Sequence, residues 1–215
     1  MPLTQYSLAI SCMAHKCKNR QNAMSKIILI HPPIAKCSEP PAGIAKLSAC
    51  LNENGIHHEV IDANLEGILF LLKYASDKNI STDRWTTRAC KKLDANLTAL
   101  KNIEIYKSQS RYQRAVMDIN RLLYMAGKSS DVDLSIADYQ DKQFSPVKSA
   151  DLIAAAEKPQ DNPFYPYFQY RLMKALEGNP DFIGFSLNYL SQALCSFAMI
   201  GFIKKIQPRQ KIILG

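Results

Sequence analysis

The run Lys26-Ile-Ile-Leu-Ile-His31, closed by Pro32-Pro33, restricts the possible folds more than any other feature. Its apolar residues follow one another without alternation. A strand with one wet face alternates, whereas an unbroken apolar run of this length belongs to a strand covered on both faces, as in parallel sheets. Pro41 to Asn54 follows, with Ile44, Leu47, Ala49 and Leu51 near helical spacing. Prolines suit its first turn, and Gly55 suits its C-terminal stop. His58-Glu-Val-Ile-Asp62 is then a second strand, which completes a βαβ unit. The same signature returns near the other end. Asp181-Phe-Ile-Gly-Phe-Ser-Leu187 reads as a buried strand, Ser191 to Ile206 as a helix broken by Pro208, and Lys211-Ile-Ile-Leu-Gly215 as a last strand. The expected fold is α/β, an open parallel sheet of the flavodoxin-like or Rossmann-like kind. The crossover rule predicts that 27–31 lies between 58–62 and 182–187, with 211–214 beside 182–187.

Between these ends the periodicity is helical. Residues 26–64 and 180–215 form the split α/β domain, and 65–179 form an insertion expected over the carboxyl end of the sheet. Leu65 to Tyr74 is one helix. Thr82 is the expected cap of another, in which Trp85, Ala89, Leu93, Leu97, Leu100 and Ile103 recur. Tyr112, Val116, Ile119 and Leu123 mark a third helix, ended by Gly127. Residues 128–147 are polar and read as a loop. Ser149 to Glu157 is a short helix, and Phe168 to Leu176 is the last one before Gly178-Asn-Pro. Residues 1–25 show no period and read as a disordered tail, with Met24 an alternative start.

Charge and cysteine usage exclude several function classes. Of the net charge of +8, Lys16, Lys18, Arg20 and Lys26 supply half before the first strand. Arg84, Arg88, Lys91 and Lys92 share a helix face, which reads as a solvated surface, so no nucleic-acid partner is expected. Cys12, Cys17, Cys37, Cys50, Cys90 and Cys195 contain no Cys-x-x-Cys pair. Cys50 and Cys195 sit in apolar helical patterns and read as buried thiols. Without a secretory signal or an apolar run of membrane-spanning length, a reducing cytoplasm and no membrane partner are expected.

Doubly wound sheets bind ligands beyond the carboxyl ends of their strands. No glycine occurs between His31 and Ala42, so the Gly-x-Gly-x-x-Gly turn of a dinucleotide site is absent, and so is a Walker loop. Asp62 stands where a ribose contact would be, without the glycines that give such an acid its meaning.

The segments Ile27-Ile-Leu-Ile-His-Pro-Pro33, Pro41-Ala-Gly-Ile-Ala-Lys-Leu47, Val60-Ile-Asp-Ala-Asn64, Pro180-Asp-Phe-Ile-Gly-Phe-Ser186 and Lys211-Ile-Ile-Leu-Gly215 resemble the N-terminal cobalamin-binding domain of radical S-adenosylmethionine proteins. The resemblance covers under half the chain. It implies a small-molecule cofactor, cobalamin, held by Pro32, Pro33, Pro41, Ala42 and Gly43 on one side and Ser186, Asn188 and Gly215 on the other. Two departures qualify it. The Asp-x-His-x-x-Gly motif, whose histidine binds cobalt, is missing, so the implied form is base-off without a protein histidine; His31 reads as a strand-end residue. The Cys-x-x-x-Cys-x-x-Cys trio of the radical domain is also missing. An iron–sulfur cluster, S-adenosylmethionine and any metal-dependent catalysis would then belong to a full-length relative, and this chain reads as its truncated N-terminal part. The sheet's last strand and helix are not in the sequence. The 211–214 strand is therefore an expected exposed edge, prone to self-association, and cobalamin binding by the chain alone is expected to be weak. The alternative is a flavodoxin-like scaffold that acts as an interaction protein without a cofactor.

Overall fold

The computed structural model describes residues 26–39, 41–77 and 83–215. The expectations for residues 1–25, for Met24 and for Thr82 lie outside these. The chain is an α/β fold around a four-stranded sheet. Its strands are β1 (Ile27–His31), β2 (His58–Asp62), β5 (Phe182–Phe185) and β6 (Lys211–Leu214). The order is β2-β1-β5-β6, and every pairing is parallel. This is the order expected from the sequence, with β6 at one edge.

Burial explains the unbroken apolar run. Ile27 and Leu29 pack on Ile44 and Leu51 of helix α1 (Ala42–Glu53). Ile28 and Ile30 point the other way, into a core shared with Ile61, Ile183, Phe185 and the remaining helices. Burying an isoleucine side chain stabilises by about 2 kcal/mol, so this strand alone carries a large share of the sheet's cohesion. Helix α1 is fixed to β2 by Ser48, whose Oγ lies 2.7 Å from His58 Nε2. Helix α7 (Ala193–Ile206), which joins β5 to β6, lies on the opposite face from α1. That is where a right-handed crossover must go when the chain leaves the sheet's centre in the other direction.

The insertion begins with α2 (Ala63–Asp77) and continues through α3 (Arg84–Leu100) and α4 (Gln109–Gly127). After α5 (Ser149–Glu157) comes a composite helix, α6, made of Tyr165–Tyr167, a π-turn Phe168–Leu172 and Met173–Glu177. These helices share one core with the Ile28 face of the sheet, so the insertion is a layer against that face and does not stand solely over the carboxyl end. Arg171 ties the layer to the sheet, donating to Glu59 of β2 at 2.8 Å and to Glu66 of α2 at 3.0 Å.

Several local expectations change. Residues 128–147 hold an antiparallel hairpin, β3 (Val132–Leu134) with β4 (Tyr139–Asp141), because Val132, Leu134 and Tyr139 are buried in the core. The cap of α3 is Asp83, whose carboxylate accepts from the Thr86 amide at 2.8 Å. Ile103 lies outside α3, in a 3-10 turn capped by Asn102, and is 71% exposed. Cys195 is fully buried, and burial pushes its thiol up to about 12. Cys50 is only half-buried.

The crossing of α5 and α7 depends on one glycine. A Cβ added at Gly201 of α7 would sit 1.8 Å from the Ala156 carbonyl oxygen of α5. Neither backbone can yield without disturbing the core, and overpacking of this kind costs about 3 kcal/mol. Gly201→Ala should therefore lower the urea midpoint of unfolding by that equivalent, whereas Gly43→Ala, with ordinary contact distances, should not.

Candidate functional site

The sheet register sets four residues level along the carboxyl edge. His31 is paired with Asp62. Ile30 is paired with Phe185 and Phe185 with Leu214, which places Ser186 and Gly215 in the same row. The Ser186 amide donates to the Ile30 carbonyl at 2.9 Å, and the Gly215 amide to the Phe185 carbonyl at 3.0 Å. Alternation along β1 turns His31 to the side of Ile27 and Leu29, which is the α1 side. Along β5 it does the same for Ser186, since Gly184 two residues earlier faces Leu29.

A helix that follows a parallel strand runs back against it, so its N-terminus stands at the strand's carboxyl end. The first turn of α1 accordingly meets this row: a Cβ added at Gly43 would lie 3.8 Å from Ser186 Oγ and touch nothing else. No side chain caps α1, no acid lies in its first turn, and the Ala42 and Gly43 amides have no partner among the described residues.

His31 is 2% exposed, and neither ring nitrogen has a hydrogen-bond partner. A buried polar group without a partner costs about 1–3 kcal/mol, so such groups are rare away from functional sites. Burial lowers the imidazole pKa below its ordinary value. The Asp62 carboxylate and the nearby Ser186 backbone pull it partly back. The charge of Asp62 also reaches Cys37, an exposed loop residue whose thiol is raised by partial desolvation and by that carboxylate.

The loops behind the row are fastened together. Gln192, wholly buried, donates to the Pro32 carbonyl at 2.7 Å and accepts from the Asn188 and Tyr189 amides at 2.9 and 3.1 Å. Ser191 Oγ donates to the Ile34 carbonyl at 2.7 Å. Asn64, also buried, exchanges two hydrogen bonds with the Ala35 backbone. The hairpin joins them, with Cys37 Sγ lying 3.8 Å from the Ile136 carbonyl.

The residues singled out in the sequence thus fall into two groups. Gly43 meets Ser186 at the carboxyl edge, with Ala42 and half-buried Pro41 beside it, and Gly215 lies level with Ser186 at the end of β6. Pro32 and Pro33 are buried behind that edge, and Asn188 is an exposed residue whose backbone is held by Gln192. Sequence reasoning set His31 aside and missed Gln192 and Asn64. Among the described residues, no group of three or more His, Cys, Asp or Glu side chains is placed to hold a metal ion, and no helix is long and apolar enough to cross a membrane. No family model, curated protein or solved structure matches this chain.

His31 makes a stability prediction. Its folded pKa lies below the unfolded value of 6.5, so the unfolded chain binds the extra proton first. Stability is complete above pH 6.5 and falls as pH drops below it. His31→Leu keeps the volume, removes two orphaned nitrogens and should raise stability by about 1–2 kcal/mol. Urea titrations at pH 7.5 and 5.5 should show that gain, together with a smaller acid-dependent loss than in the parent.

Proposed function

We propose that this chain is a ligand-binding module of the corrinoid type, which takes its cofactor at the carboxyl edge between the first turn of α1 and the ends of β5 and β6. The observation that carries the reading is the close backbone approach at Gly43, where an added Cβ would meet only the Ser186 hydroxyl, at 3.8 Å. A broad, flat ring can approach main chain there as it cannot where side chains project. The sequence resemblance, which runs through these same segments, supplies the class of ligand.

Ser186 and the Asn188 side chain are the polar groups available to orient a corrin periphery. Pro41, Ala42 and Gly43 supply the apolar and backbone surface of one wall, and Gly215 that of the other. Pro32 and Pro33 act from behind, as the rigid loop on which Gln192 fastens the β5 loop. The cobalt, when the cofactor is bound, supplies the organometallic chemistry. The protein binds the ring, orients it and keeps water from one face. Cluster and S-adenosylmethionine chemistry would need thiolates that this sequence does not contain in the required spacing.

A spectral titration with hydroxocobalamin tests the reading. The parent chain should give a saturable shift in the visible bands. Ser186→Leu, which fills the mouth opposite Gly43, should weaken binding at least tenfold while leaving the far-ultraviolet dichroism unchanged. A parent chain with no saturable shift, or a variant that binds as well as the parent, would overturn the assignment.

A further inference from the structure

Taking the carboxyl edge of the preceding section as the ligand side, we infer that the crevice between the first turn of α1, Ser186 and His31 is a binding site for a phosphoryl oxyanion. Two independent features point to it. The first is a helix of twelve residues whose N-terminus has no side-chain cap and no acid in its first turn, so its amides and dipole are unanswered. The second is His31, 2% exposed, with both ring nitrogens unpartnered, on the same side of the sheet and level with the serine that faces that turn. The fold bears the cost of an unsatisfied buried imidazole at the one place where an uncapped helix end converges on it.

The donors define the class of ligand. They approach from three directions: the Ala42 and Gly43 amides along the helix axis, the Ser186 hydroxyl from β5, and an imidazole N–H from β1. A carboxylate has two oxygens in one plane and answers two directions. A phosphoryl group has three free oxygens arranged as a tripod and answers all three. Asp62 does not compete for these donors. Its Oδ1 accepts from the Leu65 amide at 3.0 Å, so it is engaged at the start of α2. Cys37, another ionisable group near Asp62, is held as the neutral thiol and adds no repulsion.

Gly43 allows a clean test. Its added Cβ would be in ordinary contact, and its backbone is not in the left-handed region, so a side chain fits. Gly43→Asp places a carboxylate in the first turn, which favours the helix and occupies the anion's place. Isothermal titration with inorganic phosphate, at constant ionic strength in chloride and pH 7, should show one saturable site per chain. Gly43→Asp should abolish it without lowering the thermal midpoint. His31→Leu should weaken it at least tenfold while raising that midpoint. Absence of saturable binding by the parent, or unchanged affinity in both variants, would overturn the inference. A parallel titration with phenyl phosphate tells the source. Equal or tighter binding assigns the site to the phosphate ester of a larger ligand, and exclusion of the ester assigns it to free phosphate. Hydroxocobalamin run on the same samples separates the two readings. Cobalamin binding without phosphate binding overturns this inference alone, and phosphate binding without cobalamin binding overturns the corrinoid assignment alone.

Discussion

Everything in this fold hangs on β1 being covered on both faces. Its four isoleucine and leucine side chains divide between two cores, Ile27 and Leu29 toward α1 and Ile28 and Ile30 toward the helical layer. A strand in that position must be central, and a central parallel strand must receive its neighbours through crossovers on opposite faces. Once α1 lies on one side and α7 on the other, the chain reverses its direction of travel between β1 and β5. The carboxyl ends of those two strands then have no helix passing between them. His31, Ser186 and the start of α1 meet there because the topology leaves that gap.

A gap between loops has its own cost, since loop backbone carries donors and acceptors that secondary structure does not satisfy. Two buried amide side chains and one half-buried hydroxyl meet part of it. Gln192 joins Pro32 to Asn188 and Tyr189, Ser191 holds Ile34, and Asn64 grips Ala35 from the start of α2. These hydrogen bonds fasten the loops behind the carboxyl edge, where a helix N-terminus and two strand ends meet.

The sheet was legible in the sequence because β-branched apolar runs bounded by Pro, Gly and Asp leave few other structures possible, and strand order followed from handedness. The hairpin at Val132–Leu134 and Tyr139–Asp141 was not legible, since three-residue strands are too short to show a period. Ile103 fitted the helical spacing of α3, yet Asn102 ends that helix by capping the next turn, a choice that periodicity does not register. The face on which the insertion packs was hidden as well, because an amphipathic stripe says that something covers it and not what. The site residues show the same division. That Gly43 and Ser186 lie at one edge follows from the order of elements. That an added Cβ on one would touch the hydroxyl of the other follows only from register. His31 was correctly read as a strand-end residue. Whether its ring finds a partner depends on β2, β5 and α1 together, which no local pattern contains.

The two faces of the sheet are unequally covered, and this decides where a ligand can come close to the backbone. On the Ile28 side, α7 and the inserted helices form a thick layer, with Tyr165 edge-on and Phe168 tilted against Phe202. On the Ile27 side, α1 reaches β1 and β2, while Phe182, Gly184 and Ser186 of the β5 segment and Ile213 of β6 are left half-buried. The thin side is also the side with small residues: glycine at 43, 184 and 215, and serine at 186. A cofactor that approached from the thick side would have to displace packed aromatic rings, at several kcal/mol each. From the thin side it would meet backbone, a hydroxyl and the open end of a helix, with the buried His31 imidazole beneath them.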